Sequence, residues 1–249
     1  MFSKKEYFEV NREERHFGNL LISSIIYDDV FRNSFFGLID KKLDKCNFLN
    51  KEFDIYSETA IIRDYWYDLG DYKEITHDRL NISRRNIINT FLEYFNIDIK
   101  IIDEYDVFWT NHINNSYLWF PGNWTTKKNI GIIKKIQKKH SILDEKLCRI
   151  GWACNAKPDI LIISNNNCLI IELKLESGEG KNDSGYNQFQ TQYDIIELSK
   201  KTIPCFAESN FERIIISKEN TEKNISWNEI IDFFNNSLVK KHFARIEMG

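Results

Sequence analysis

Two carboxylates and a lysine near the middle of the chain have the types and spacing needed for metal-assisted chemistry. Residues 157–176 read KPDILIISNNNCLIIELKLE, two apolar, β-branched runs around a polar turn, which predicts a β-hairpin. Asp159 lies at the outer end of the first strand, and a tight turn near Asn165 to Asn167 would bring it close to Glu172 in the second. Because side chains alternate along a strand, Glu172 and Lys174 share one face.

This group of residues can be read in two ways. The two carboxylates and the carbonyl of Leu173 form an oxygen-rich pocket, which suits Mg²⁺ or Mn²⁺. A lysine beside such an ion can hold an attacking water or neutralise charge that develops on phosphorus. The alternative is a strand edge with an ordinary Glu/Lys pair, since Pro-Asp and Glu-x-Lys both occur often by chance.

The pattern Pro158-Asp159 followed by Glu172-Leu173-Lys174 resembles the signature of the PD-(D/E)XK nuclease superfamily. The resemblance implies that Asp159 and Glu172 are metal ligands and that Lys174 is the catalytic lysine. It also implies an α/β fold, with a restriction-endonuclease-like core in which helices flank a central mixed β-sheet. Residues 28–150 match the family hardly at all and are expected to form a large, mainly helical insertion.

The elements after the hairpin follow the order that the resemblance leads us to expect. A helix after Gly185 carries Gln188 and Gln192 four positions apart, hence on one face. Many family members have a Gln-x-x-x-Tyr or similar pair there that contacts the metal site or the nucleic acid. Solvent-facing glutamines are the alternative. A buried strand over 211–217 and a capping box over 226–229 complete the order of strand, strand, helix, strand, helix.

Two earlier segments have the apolar spacing of amphipathic helices. The first spans 11–27 and carries Glu14, the candidate for the acidic residue that the family places on an early helix. Glu13 is an equally good choice, and either residue could simply favour the helix dipole. The second spans 81–95, with Ser83 as its expected cap. The segments 56–72 and 120–124 are left as helical or mixed.

A third helix is expected over 126–140, with isoleucines on one arc and six lysines on the other: Lys127, Lys128, Lys134, Lys135, Lys138 and Lys139. Such a charged arc is usually a solvated surface. Near a nuclease site it would contact phosphates, because ammonium groups on one face match the charge of a nucleic-acid backbone.

Composition limits the classes of protein that the chain can belong to. Its 249 residues are 42% hydrophobic and 14% aromatic, which excludes a disordered or collagen-like chain. The net charge of -3 excludes a uniformly basic nucleic-acid binder, so any such contact must be a local patch. Five cysteines without metal-ligand spacing, a charged N-terminus and the lack of a membrane-length apolar run predict a cytoplasmic protein that does not enter a membrane.

The sequence therefore predicts a single nuclease domain over 1–249, with the core that carries the hairpin at 151–235. Its expected activity is Mg²⁺- or Mn²⁺-dependent hydrolysis of DNA, or alternatively of RNA, and the resemblance extends to nucleases of bacterial defence or restriction. A catalytically inactive binding or assembly subunit with the same fold is the alternative. The sequence leaves open whether the protein forms a homo-oligomer and whether it acts with a partner protein.

Overall fold

The computed structural model describes residues 14–43, 47–69, 77–98, 120–123, 144–174, 188–218, 224–235 and 240. Within this described part of the chain, the helices are α1 (Glu14–Tyr27), α2 (Asp29–Lys42), α3 (Ile61–Asp68), α4 (His77–Tyr94), α5 (Asp144–Asn155), α6 (Gln188–Thr202) and α7 (Trp227–Ile231). The strands are β1 (Asp54–Ser57), β2 (Ile160–Ser164), β3 (Asn167–Leu173), β4 (Asn210–Ser217) and β5 (Asn224–Ser226). Short 3-10 helices cover Pro121–Asn123 and Pro204–Phe206.

The chain divides into two compact units, each built from separate segments. The sheet unit takes its described residues from 1–59, 158–178 and 209–249, and the helical unit takes them from 60–157 and 179–208. The sheet is mixed and has the order β1-β2-β3-β4-β5. Its first three strands pair antiparallel, whereas β3 with β4 and β4 with β5 pair parallel. The protein is thus α/β, with helices flanking a five-stranded mixed sheet.

The predicted hairpin is confirmed as β2 and β3. Ile160 pairs with Ile171 and Ser164 with Asn167, which leaves a two-residue turn at positions 165 and 166. Asn165 has a φ of 52°, in the left-handed region that asparagine tolerates better than most residues. The local sequence therefore determines both the strands and their register.

One face of β3 is apolar from Leu169 onward and forms part of the core of the sheet unit. Leu169, Ile171 and Leu173 belong to a cluster with residues of α1, α2 and α7, including Phe17 and Leu21 of α1. The opposite face of β3 is buried as well, because Ile170 is 0% exposed and Glu172 only 4%. A charged residue on that face is consequently shielded from water.

Two strands at the edges of the sheet, β1 and β5, were not predicted. Residues 29–57 lie within the expected insertion, yet they contribute α2 and β1 to the sheet unit. The β1 sequence is Asp-Ile-Tyr-Ser and its residues are mostly exposed, so it lacks the alternation by which strands are recognised. Pairing with β2, more than a hundred residues away in sequence, determines its conformation.

Helix α4 differs from its prediction at the N-terminus. It begins at His77, so Ser83 lies inside the helix and the prediction that it caps the helix was wrong. The apolar stripe was correct: Ile87, Ile88, Phe91, Leu92 and Phe95 are all buried. The segment left unassigned at 56–72 contains the end of β1 and the whole of α3. The predicted strand near 211–217 and the capping box at Ser226 are both confirmed.

Asp194 of α6 is the polar centre of the helical unit. Its carboxylate is fully buried and accepts hydrogen bonds from Tyr94 of α4 at 2.9 Å and from Gln190 at 3.0 Å. Arg149 of α5 donates from Nε at 3.0 Å and from a terminal nitrogen at 2.7 Å. These bonds join three helices around one charge. They raise the pKa of Arg149, while burial together with the bond to Asp194 raises the pKa of Tyr94.

Within the described residues, no helix has the length and apolar character needed to cross a membrane.

Candidate active site

Asp159 lies directly before β2, at the end of the hairpin away from the turn. Its Oδ2 accepts a hydrogen bond from the backbone N–H of Leu173 at 2.7 Å. Leu173 is the last residue of β3, and its N–H points toward β2. The acceptor of that N–H is therefore the side chain of Asp159 and not a backbone carbonyl. This bond fixes the carboxylate beside β3 rather than leaving it in solvent.

Glu172 meets Asp159 across the hairpin, as the sequence predicted. Ile160 pairs with Ile171, so Asp159 faces Glu172 across the hairpin, and Glu172 is 4% exposed. Facing residues of an antiparallel pair lie on the same side of the sheet, which explains the approach. Two carboxylates that face each other repel when both are ionised. The pair therefore favours either a shared proton or a bound cation.

The pKa of the Asp159 carboxyl is raised above its usual value. Burial is the main cause, and the negative charge of Glu58 acts in the same direction. The N–H of Leu173, the positive charge of Lys174 and the hydrogen bond with Glu172 oppose this rise without cancelling it. Asp159 is therefore a desolvated acid whose ionised form is only partly compensated by the protein.

Lys174 follows β3 immediately and is the cation of this site. Its positive charge acts to lower the pKa of Asp159. The side chain is half-buried, and the alternation of β3 puts it on the same face as Glu172. The structure thus brings together the three residues that the sequence singled out for chemistry.

Glu58 is a fourth charged residue beside the site, and sequence reasoning missed it. It follows β1, its N–H donates to the carbonyl of Asp159 at 3.1 Å, and its φ is 49°. Its carboxylate pairs with Arg15 in the first turn of α1. No motif marks Glu58 in the sequence, because its position depends entirely on the long-range pairing of β1 with β2.

The oxygen atoms at this site suit a hard divalent ion that is held by two protein carboxylates. The described residues contain no group of three or more His, Cys, Asp or Glu side chains arranged to hold a metal ion. Mg²⁺, however, keeps several waters and is commonly bound through one or two carboxylates plus substrate phosphates. In an extended strand the N–H and C=O of one residue point the same way, so the Leu173 carbonyl lies on the Asp159 side of β3. Asp159, Glu172 and this carbonyl therefore fit Mg²⁺ or Mn²⁺.

The remaining predicted site residues are only partly within the described chain. Glu14 is the first residue of α1, directly before Arg15, but its side chain lies outside the described residues, as does all of Glu13. Gln192 lies on α6 and is 3% exposed, so it is not solvent-facing. The side chain of Gln188 and the lysines at 127, 128, 134, 135, 138 and 139 lie outside the described residues. Their predicted roles stay predictions.

Comparison of the chain with family models, with curated proteins and with solved structures gave no match.

Proposed function

We propose that this chain is a metal-dependent nuclease of the PD-(D/E)XK type that hydrolyses phosphodiester bonds. DNA is the favoured substrate, with RNA as the alternative. The observation that carries the proposal is the position of Asp159, Glu172 and Lys174 at one end of the β2–β3 hairpin, which follows from its register and from the Asp159–Leu173 hydrogen bond. Two carboxylates and a lysine on one face of a sheet are groups that can carry out metal-assisted phosphoryl chemistry.

The architecture around this site supports the proposal. The β2–β3 hairpin is followed by helix α6, strand β4 and helix α7, and α1 precedes them all. This agrees with the expected order of strand, strand, helix, strand, helix, to which the structure adds the edge strands β1 and β5. Arg15 at the start of α1 pairs with Glu58 beside Asp159, so the first turn of α1 lies at the site end of the sheet. Glu14 is accordingly kept as the early acidic residue of the proposed site.

The roles of the residues follow from their chemistry. Asp159 and Glu172 would hold the divalent ion, and the Leu173 carbonyl would add a neutral oxygen. When bound, Mg²⁺ or Mn²⁺ supplies Lewis acidity toward the phosphate oxygens. Lys174 carries no oxygen for the ion, so its ammonium is available to orient the attacking water by hydrogen bonding. The same positive charge stabilises the negative charge that develops on the phosphate oxygens in the transition state.

A cleavage assay with matched variants tests this function. Purified protein is incubated with supercoiled plasmid, linear duplex, single-stranded DNA and RNA, in Mg²⁺, Mn²⁺ or EDTA. We expect cleavage of at least one substrate, its loss in EDTA and its loss in Asp159→Asn. Asp54→Asn, which neutralises an exposed carboxylate on β1, serves as the control and should cleave at the wild-type rate. Metal-independent cleavage, or an active Asp159→Asn protein, would contradict the proposal.

Nucleic-acid binding is tested separately, because an inactive binding subunit is the alternative function. Each phosphate contact contributes about 0.7 to 0.9 to the slope of log K against log salt. Neutralising Lys134, Lys135, Lys138 and Lys139 together should flatten that slope and weaken binding to all sequences alike. Salt-dependent binding by a wild-type protein that cleaves none of the four substrates would favour the binding subunit. A cytoplasmic role in defence or restriction is part of the proposal and rests on the resemblance alone.

A further inference from the structure

Lys174 lies one residue beyond the end of β3, so the strand alone does not determine its backbone position. Two hydrogen bonds hold it there. Its N–H donates to the carbonyl of Ile216 in β4 at 2.8 Å. Its own carbonyl accepts a hydrogen bond from the indole Nε1–H of Trp227 at 3.1 Å. The peptide groups on both sides of the Lys174 Cα are thus tied to the structure.

Trp227 is itself held in a single place. It is the first residue of α7 and is 1% exposed, and its ring lies 6.1 Å from that of Phe17 in α1. Ser226, the residue before it, caps α7 through a reciprocal capping box with Glu229. A helix start that is capped and packed in this way leaves the indole little freedom to move.

A lysine of α2 braces the same segment from a second direction. The ammonium of Lys42 donates to the carbonyl of Asn224 at 2.7 Å and lies 3.5 Å from the carboxylate of Glu229. In addition, β5 pairs with β4 at Ile216, the residue whose carbonyl accepts the N–H of Lys174. The two groups that bond to the Lys174 backbone, the Ile216 carbonyl and the Trp227 indole, therefore belong to elements that are themselves joined: β4, β5 and α7.

We propose that Trp227 is a positioning residue that acts through Lys174. By anchoring the Lys174 carbonyl, it keeps the chain extended past the end of β3, so that the lysine side chain stays on the face that carries Glu172. Tryptophan suits this task because its donor lies at the edge of a large apolar ring, which the core holds by packing. The inference rests on the proposed function for its catalytic meaning, whereas the hydrogen bond can be tested by itself.

Trp227→Phe tests the inference, because it keeps an aromatic ring and removes the donor. We expect kcat at saturating Mn²⁺ to fall about tenfold, which is the effect of a barrier change comparable to one hydrogen bond. The KM for nucleic acid and the Mn²⁺ affinity by calorimetry should stay within about twofold, because both carboxylates remain in place. Amide exchange at Lys174 should become faster.

Phe36→Leu is the matched control. Phe36 lies in the core of the same unit and contacts the rings of Phe35, Phe48 and Phe53. Its replacement loosens packing without touching the Lys174 carbonyl. It should therefore leave Lys174 exchange and kcat near wild type at a temperature where both variants are folded. Equal losses of kcat in the two variants, or a wild-type rate in Trp227→Phe, would overturn the inference.

A measurement on the wild-type protein covers the case in which Trp227→Phe does not fold. The indole N–H of Trp227 should be protected from hydrogen exchange, and rapid exchange would show that the bond to Lys174 is absent and overturn the inference. The proposed function fails by a different result, namely a wild-type protein that cleaves no nucleic acid in Mg²⁺ or Mn²⁺. In that case the catalytic role of Trp227 falls as well, while protection of the indole still reports whether it holds Lys174.

Discussion

Asp194 in the helical unit and the Asp159–Glu172 pair in the sheet unit are both desolvated acids, but their surroundings differ. Asp194 accepts four hydrogen bonds, two of them from the guanidinium of Arg149. Asp159 accepts one backbone N–H, faces a second carboxylate and has a raised pKa. A buried charge surrounded by donors serves to hold helices together. A buried charge left partly uncompensated is costly to the fold and is characteristic of functional sites.

Neutralising the sheet-unit pair should produce the largest change in activity. Asp159→Asn and Glu172→Gln are each expected to abolish cleavage and strongly weaken the binding of Mn²⁺, because each removes one of the two carboxylates that would hold the ion. Plasmid cleavage and calorimetry measure the two effects. Circular dichroism shows that the variants are folded. A folded Glu172→Gln protein that cuts at the wild-type rate would remove Glu172 from the site.

Removing the helical-unit acid should instead produce the largest loss of stability. Asp194→Ala is expected to lower the free energy of unfolding by about 2–4 kcal/mol, because it removes the acceptor of four hydrogen bonds and leaves the partly buried Arg149 without this partner. Asp64→Ala is the control: Asp64 forms a partly exposed pair with Arg63 in the same unit, and surface pairs contribute about 0–1 kcal/mol. Urea unfolding measures both. Similar values for the two variants would mean that Asp194 does not organise its three helices.

The lysine of the sheet unit should affect turnover and not metal binding. Lys174→Ala is expected to lower kcat by about 10²- to 10³-fold, since a positioned charge at a developing oxyanion has an effect of this size. Mn²⁺ affinity should be retained, because Lys174 provides no ligand. Lys41→Ala, which removes an exposed lysine of α2, is the control and should leave kcat unchanged. If metal affinity collapsed in Lys174→Ala while cleavage at saturating Mn²⁺ stayed normal, the lysine would be a structural partner of Glu172.

Replacing Asp159 and replacing Asp194 should also change the free energy of unfolding in opposite directions. Without metal at neutral pH, Asp159→Asn is expected to raise the free energy of unfolding by about 1 kcal/mol, because it removes a poorly compensated charge and keeps an acceptor for Leu173. Mn²⁺ should raise the melting temperature of the wild type and leave that of Asp159→Asn unchanged. Thermal unfolding measures both effects. An Asp159→Asn protein that is less stable than the wild type would place Asp159 with Asp194 as a structural acid.

The smallest expected effect concerns the segment that carries Trp227. Burial acts to raise the pKa of Glu229, but the N–H of Ser226 and the charge of Lys42 outweigh it, and the pKa is lowered. Glu229 therefore stabilises the fold above its usual pKa of 4.5, and this contribution is lost as the pH falls through the lowered folded-state value. Glu229→Gln should lower the free energy of unfolding by about 0.5–1 kcal/mol at pH 7, with a difference that shrinks below pH 4.5. Denaturant titrations at several pH values measure this dependence, and a difference that grows in acid would contradict the assignment.

The features that were predicted correctly all depend on residues close in sequence. The β2–β3 hairpin follows from two apolar runs around one short turn, and its register brings Asp159 to Glu172 without help from other elements. The capping box at Ser226 needs four consecutive residues. The start of α4 was predicted wrongly because Ser83 is as compatible with the interior of a helix as with its cap. The sequence offers an earlier start signal of the same kind, since Thr76 precedes His77 and Asp78 follows it.

The parts that could not be predicted are contacts between distant segments. Glu58 reaches Asp159 only because the short, polar strand β1 pairs with β2. Trp227 reaches the Lys174 carbonyl only after β4 and β5 have aligned beside β3. Alternation and helical periodicity say which face of an element is apolar, but they contain nothing about which distant element will cover it.

By itself, the sequence determined an α/β chain with a carboxylate–lysine hairpin, because strand alternation and turn chemistry act over a few residues. Only the tertiary structure decided which groups surround the charged residues of that hairpin. It added the charge of Glu58, desolvated Glu172 and anchored the Lys174 backbone between Ile216 and Trp227. The physical reason is that desolvation and electrostatic compensation depend on every group packed around a charge, and those groups come from segments far apart in the chain.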